Sequence, residues 1–153
     1  MAKPAPEPLV ILQDHREGLP WKWSDACRVE IVHLPTADYS MGNGWSGRVA
    51  CERKSLPDLI NSLTTARRDV FLDVCRRMQA YEHRLLVVEA DIADVLAHRY
   101  VSRANASSIV GSTVALFHDY GLASAWWHDA RTAADLVERW FRRIVVKAAV
   151  HAA

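Results

Sequence analysis

Long apolar runs are missing from this chain. No stretch of about 18 apolar residues, the length a membrane-spanning helix requires, occurs anywhere in it. The opening Met1-Ala2-Lys3-Pro4-Ala5-Pro6-Glu7-Pro8 lacks the apolar core of a signal peptide and reads as a disordered tail over residues 1–8. Cysteine is scarce: Cys27, Cys51 and Cys75 are widely spaced, with no Cys-x-x-Cys pair. An odd, dispersed set argues against a disulfide framework and against a cysteine-based zinc site, and fits a reducing compartment. There is also little excess of either charge: the net of +1 neither requires nor excludes nucleic acid, because local clustering decides that. Internal repeats, low-complexity tracts and domain linkers are absent. The expectation is a cytoplasmic protein with one globular domain over residues 9–150, half apolar and 24% charged.

The patterning of that domain alternates between strands and helices. Leu9-Val10-Ile11-Leu12 is a short apolar run of the kind that forms a buried strand, and it ends in the polar cluster Gln13-Asp14-His15-Arg16-Glu17-Gly18. Val29 to Leu34 predicts a second strand, stopped by Pro35. Gly42-Asn43-Gly44 is a turn signal, which places Asp38 and Glu52 on the two arms of a hairpin. Ser55 and Asp58 form a capping-box pattern ahead of apolar residues at helical spacing from Leu59 to Tyr81, with a break near Thr64-Thr65. Leu85 to Val88 predicts another buried strand. Helices follow over about 92–99 and 106–120, the latter closed by Gly121. An edge strand near 123–127 and a last helix over about 132–150 complete the chain, the helix burying Leu136, Val137, Trp140, Phe141, Ile144 and Val145. The order implies an α/β fold, a central mixed β-sheet flanked by helices on both faces.

The chemistry concentrates at strand ends. Asp14, Asp38, Glu52 and Lys54, with Asp58 nearby, form the candidate constellation. Side chains alternate along a strand, so Glu52 and Lys54 point to one face and Arg53 to the other. Two or three carboxylates suit Mg²⁺, which takes few protein ligands and keeps several waters. Phosphodiester cleavage needs such a cation, and an adjacent lysine orients water or stabilises the pentacovalent phosphate. The plainer alternative is a set of solvated loop acids with a weak Glu52–Lys54 pair. For Asp58 taken alone, helix capping is the primary reading.

The pattern Asp38…Glu52-Arg53-Lys54-Ser55-x-x-Asp58 resembles the nuclease motif of the XPF family of structure-specific DNA endonucleases. Asp14-His15-Arg16-Glu17 is similar to that family's Asp-x-Arg-Glu at the end of its first strand, and Leu85-Leu86-Val87-Val88-Glu89 to its next core strand. The resemblance runs from about residue 9 to 89, and more loosely to Arg143. It implies a restriction-endonuclease-like fold and a Mg²⁺- or Mn²⁺-dependent DNA endonuclease leaving 5′ phosphates. Its substrate would be branched, flap or partly single-stranded DNA, in repair, recombination or replication. It implies that Asp38, Glu52 and Asp14 are metal ligands, that Lys54 is the catalytic lysine, and that Arg16, Arg53 and Asp58 support the site. It further implies a homodimer joined through the C-terminal helices. Two departures stand out: Ala37 replaces the glycine usual before the hairpin Asp, and no helix-hairpin-helix module follows. The alternative within the same family is a catalytically inactive DNA-binding or assembly subunit.

Arg67 and Arg68, at the start of the second half of the Leu59–Tyr81 pattern, are the candidates for DNA-phosphate contacts. The basic stripe Arg139, Arg142, Arg143 and Lys147 reads as the solvated face of an amphipathic helix. Trp126, Trp127 and Trp140 read as core or a dimer surface, and His15 as a neutral loop histidine.

Overall fold

A computed structural model describes residues 7–152; the tail expected over residues 1–8 therefore lies outside the described residues up to residue 6, while Glu7 and Pro8 are exposed and irregular. The elements in chain order are β1 (Leu9–Asp14), β2 (Cys27–Val32), β3 (Tyr39–Met41), β4 (Val49–Ser55), α1 (Leu56–Thr64), α2 (Arg68–Met78), β5 (His83–Glu89), α3 (Ile92–Leu96), α4 (Ala106–Tyr120), β6 (Ala123–Trp126) and α5 (Ala130–His151). One six-stranded sheet runs in the order β2-β1-β3-β4-β5-β6. Only β3 runs against its neighbours; the other adjacent pairs are parallel. This is the mixed sheet of a restriction-endonuclease-like α/β fold.

Alternation along the central strands divides the core in two. Ala50 of β4 and Leu86 and Val88 of β5 face Leu59, Ile60, Leu63, Phe71, Cys75, Val95, Ile109 and Leu116 from α1 to α4. Val49 and Cys51, with Ile11, Tyr39, Met41 and Val87, face Trp21 and the Ala133, Ala134, Val137, Phe141 and Ile144 stripe of α5. Helices thus cover both faces. Of the residues expected inside from α5, Val145 is 39% exposed and Leu136 and Trp140 are only partly buried. The helix leans on the sheet through a narrower stripe, with small Ala133 and Ala134 bringing it close.

Local chemistry explains the boundaries. Ser55 Oγ accepts from the Asp58 amide and caps α1, with Pro57 in the first turn where its missing N–H costs nothing. The break near Thr64-Thr65 is real: α1 stops at Thr64 and α2 restarts at Arg68. Gly121 closes α4 at φ 59°. The strand predicted over Val29–Leu34 forms two residues earlier, at the sheet edge, leaving Val29 and Ile31 42% and 69% exposed.

Two glycines test the packing in opposite directions. A Cβ on Gly42 would lie 2.7 Å from Val10 Cγ1, whereas one on Gly111, in the middle of α4, meets open space. Gly42→Ala is expected to destabilise by about 1–3 kcal/mol through overpacking. Gly111→Ala should stabilise by about 0.5–1 kcal/mol through helix propensity. Thermal denaturation of the two single variants checks both signs.

Candidate active site

Sheet register builds the site before any side chain is considered. Gln13 pairs with Tyr39 and Tyr39 with Cys51. The next residues along, Asp14, Asp38 and Glu52, therefore fall in one row across three adjacent strands, on one face. The Asp14 amide donates to Asp38 O (2.9 Å) and the Asp38 amide to Cys51 O (3.1 Å), extending the ladder to this row. All three acids line one cleft of about 260 Å³ with Arg16, Glu17, Thr36, Ala37, Val74 and Arg77.

Each acid has a different environment. Asp14 is buried, which alone would raise its pKa, but four hydrogen bonds outweigh burial and hold it well below the usual carboxylate range. Its Oδ1 accepts from the Arg16 amide (2.9 Å) and Nε (2.6 Å), and its Oδ2 from the Leu34 amide (2.8 Å) and Arg16 Nη2 (3.1 Å). Asp38 goes the other way: burial and then the neighbouring Glu52 charge push its pKa up to about 7, against the Arg53 amide, which donates to Oδ2 at 2.7 Å. Lys54 Nζ donates to Glu52 Oε1 at 2.5 Å. Burial disfavours the Lys54 ammonium, but the charge and hydrogen bond of Glu52, with Asp38 and Asp58 behind, raise its pKa overall. It stays a cation, with its Nζ 5.1 Å from the Phe71 ring centre.

Arg53 points to the opposite face, as alternation requires. There its Nε donates to Glu89 Oε1 (2.5 Å), its Nη1 to Leu19 O, and its guanidinium lies 3.4 Å from Glu17 and 5.4 Å from the Trp21 ring centre. Trp21 Nε1 also donates to Glu89 Oε1. Arg53 is a latch joining β4, β5 and the loop after β1, and Glu89, the acid ending β5, belongs to that latch rather than to the row. Asp58 accepts from Ser55 Oγ (2.8 Å) at the α1 cap. Ala37 adopts φ 66°, a left-handed conformation that glycine would take without strain.

The basic residues divide as well. Arg67 precedes α2, and Arg68 donates to Leu63 O at 3.0 Å; neither lines the cleft. Arg77, about 14 Å further along the same helix, does line it, and among the described residues it has no ion-pair partner. Helical spacing in the sequence does not single out Arg77, because which end of α2 meets the sheet depends on packing. In α5, Arg139 pairs with Asp135 and Arg142 with Glu138, so half the basic stripe is neutralised.

A family model for the ERCC4 domain matches residues 13–139. The chain belongs to the ERCC4-domain family. This ERCC4 domain is similar to the 3′-flap repair endonuclease Xpf of Saccharolobus solfataricus, 29% identical over 111 residues, 72% of the chain and 43% of that relative. It superposes on XPF from Aeropyrum pernix with a TM-score of 0.68 at 24% identity, covering 89% of this chain and 65% of that one. The same protein in complex with DNA gives 0.67 at 25% identity, covering 91% and 66%. The ERCC4 domain described here thus spans less than half the length of the curated relative and just under two thirds of the solved chains. The superposition agrees with the restriction-endonuclease-like fold. Among the described residues, no helix is long and apolar enough to cross a membrane.

The crowded row makes stability depend on pH when no divalent cation is present. Asp38 binds its proton more tightly folded than unfolded, so stability is full below its unfolded pKa near 4 and falls as pH rises towards 7. Asp14, with its lowered pKa, has the opposite sign and acts only below about pH 4. In EDTA, the melting temperature of the wild type relative to Asp38→Asn is expected to drop by a few degrees between pH 4 and 7, then level off. A difference that stays flat over that window contradicts the account.

Proposed function

We propose that this ERCC4 domain is a Mg²⁺- or Mn²⁺-dependent DNA endonuclease that hydrolyses a phosphodiester bond and leaves a 5′ phosphate. Its substrate is DNA with flap, branched or single-stranded character; the Saccharolobus relative is named for a 3′ flap. The observation that carries this reading is the row of Asp14, Asp38 and Glu52 in one cleft, with Lys54 bonded to its end.

The cleft fits a hard divalent cation. Its donors are carboxylate oxygens, and the mutual repulsion of Asp38 and Glu52 is what a cation between them would relieve. Thr36 lines the same cleft, and among the described residues its buried hydroxyl has no hydrogen-bond partner. Asp38 and Glu52 would hold the ion, with Asp14 contributing directly or through water. Bound there, the ion supplies Lewis acidity towards a phosphoryl oxygen and an acidified water.

The chain's own groups do the rest. Arg16 fixes the Asp14 carboxylate from two sides and, by donating to Leu34 O at 3.0 Å, ties the loop before β3 to the end of β1. Lys54, protonated, is a donor towards developing negative charge on the phosphoryl oxygens rather than a base. Arg77 on the cleft wall offers a phosphate contact, a role better placed there than at Arg67 or Arg68. Arg53 and Asp58 act by positioning: Arg53 holds β4 against its surroundings, and Asp58 holds the start of α1. A homodimer through the C-terminal helices is supported by the exposed Val145, Val146 and Val150 of α5.

Nicking of a flap substrate is expected only with Mg²⁺ or Mn²⁺, and to fall by about 10²-fold or more in Lys54→Ala and Asp38→Ala. Activity that survives both substitutions, or persists in EDTA, overturns the mechanism. Normal DNA affinity with no nicking at all points to the inactive-subunit reading instead. Arg77→Ala should weaken DNA binding evenly across sequences and reduce the salt slope by about one. Arg67→Ala and Arg68→Ala, at the far end of the helix, should change binding less; the reverse ranking contradicts the placement of Arg77.

A further inference from the structure

Beside the acid row lies a second group of ligand atoms with different chemistry. β1 and β2 run parallel with Asp14 opposite Val32, so the next residue on each, His15 and His33, emerges side by side at the strand ends. The His15 amide donates to Val32 O at 2.8 Å, which fixes this alignment. The two imidazole rings are 5.4 Å apart, and both residues are exposed. One ligand atom each from Asp14, His15 and His33 lies within 4.8 Å of the others. Among the described residues neither ring is engaged in a hydrogen bond; His15 Nδ1 lies 3.9 Å from Asp14 Oδ2.

We infer that His15, His33 and Asp14 form a binding site for a borderline-soft divalent transition metal, of which Zn²⁺ is the type, distinct from the Asp38–Glu52 pair and bordering it at Asp14. Imidazole nitrogen suits Zn²⁺, Co²⁺ and Ni²⁺ and is a poor ligand for Mg²⁺, so the two sites differ in chemistry although they share a border. Donors on a tetrahedral zinc ion lie about 3.3 Å apart, given bond lengths near 2.0–2.2 Å. Both histidines are exposed, and rotation of their side chains is the route by which the 4.8 Å spacing closes. Asp14 is oriented by the Leu34 amide and by Arg16, and ligation through Oδ2, the oxygen 3.9 Å from His15 Nδ1, replaces the Arg16 Nη2 contact of 3.1 Å, the longest of its four hydrogen bonds. With three protein ligands, water takes the remaining position, the arrangement of an open rather than a closed zinc site.

Cobalt makes the site visible without any assay of nuclease activity. Tag-free protein in excess Mg²⁺ is titrated with Co²⁺ and followed by its visible d–d absorption. The expected result is one Co²⁺ per chain with the intense bands of four- or five-coordination, displaced by one equivalent of Zn²⁺. His15→Ala and His33→Ala, both at exposed positions, should each weaken binding at least tenfold. Asp38→Asn combined with Glu52→Gln should leave it unchanged. Three results overturn the assignment: no d–d band, equal affinity in the His15→Ala/His33→Ala protein, or loss of the band in the Asp38→Asn/Glu52→Gln protein. The last would place the cobalt in the acid row instead.

Discussion

Two carboxylates set next to each other and shielded from water repel, and much of this structure is arranged around that repulsion. Asp38 and Glu52 are forced together by the pairing of β3 with β4, and burial, followed by the Glu52 charge, raises the pKa of Asp38. The fold offsets the repulsion locally. The Arg53 amide donates to Asp38, and the Lys54 ammonium sits on Glu52. Asp14, third in the row, is removed from the conflict by Arg16, which satisfies both of its oxygens. Such partial compensation is what a cation site requires: enough donors to hold the acids in place, and too few positive charges to neutralise them.

The single antiparallel strand is the device that brings the acids together. β3 is only three residues long, yet it sits between β1 and β4 and links the ends of both. Were it absent or parallel, Asp14 and Glu52 would end on strands with no carboxylate between them. Residues on the opposite face keep this short strand in register. Tyr39 stacks on Trp21 at 4.7 Å and accepts from the Trp21 amide at 2.8 Å through its hydroxyl oxygen, while Arg53 ties Trp21 and Glu89 to β4. One strand, β4, thus carries the functional Glu52 and Lys54 on one face and the structural Arg53 on the other.

Much of this was legible in the chain itself. Period-two and helical spacing located nearly every element, and Ser55, Gly121 and the Gly42-Asn43-Gly44 turn marked boundaries that the structure keeps. The alternation of Glu52, Arg53 and Lys54 correctly divided two faces. What could not be read depends on packing between distant segments. Arg77 reaches the cleft because α2 lies over the sheet in one direction, which periodicity does not encode. His15 gains its neighbour His33 only through parallel pairing of strands whose sequences show no mutual signal. The latch of Arg53 with Glu89, Glu17 and Trp21 joins three segments far apart in sequence. The edge position of β2 explains why Val29 and Ile31 are exposed although their alternation reads as a strand with one buried face.

The most direct test of the proposed catalytic centre is a crystal structure of the protein soaked in Mn²⁺, with the metal located by anomalous scattering. The account predicts a peak bound by carboxylate oxygens of both Asp38 and Glu52, with Asp14 as a direct or water-mediated neighbour and Lys54 released from its tight contact with Glu52. Full Mn²⁺ occupancy elsewhere, with the Asp38–Glu52–Lys54 cluster unchanged and metal-free, would contradict it.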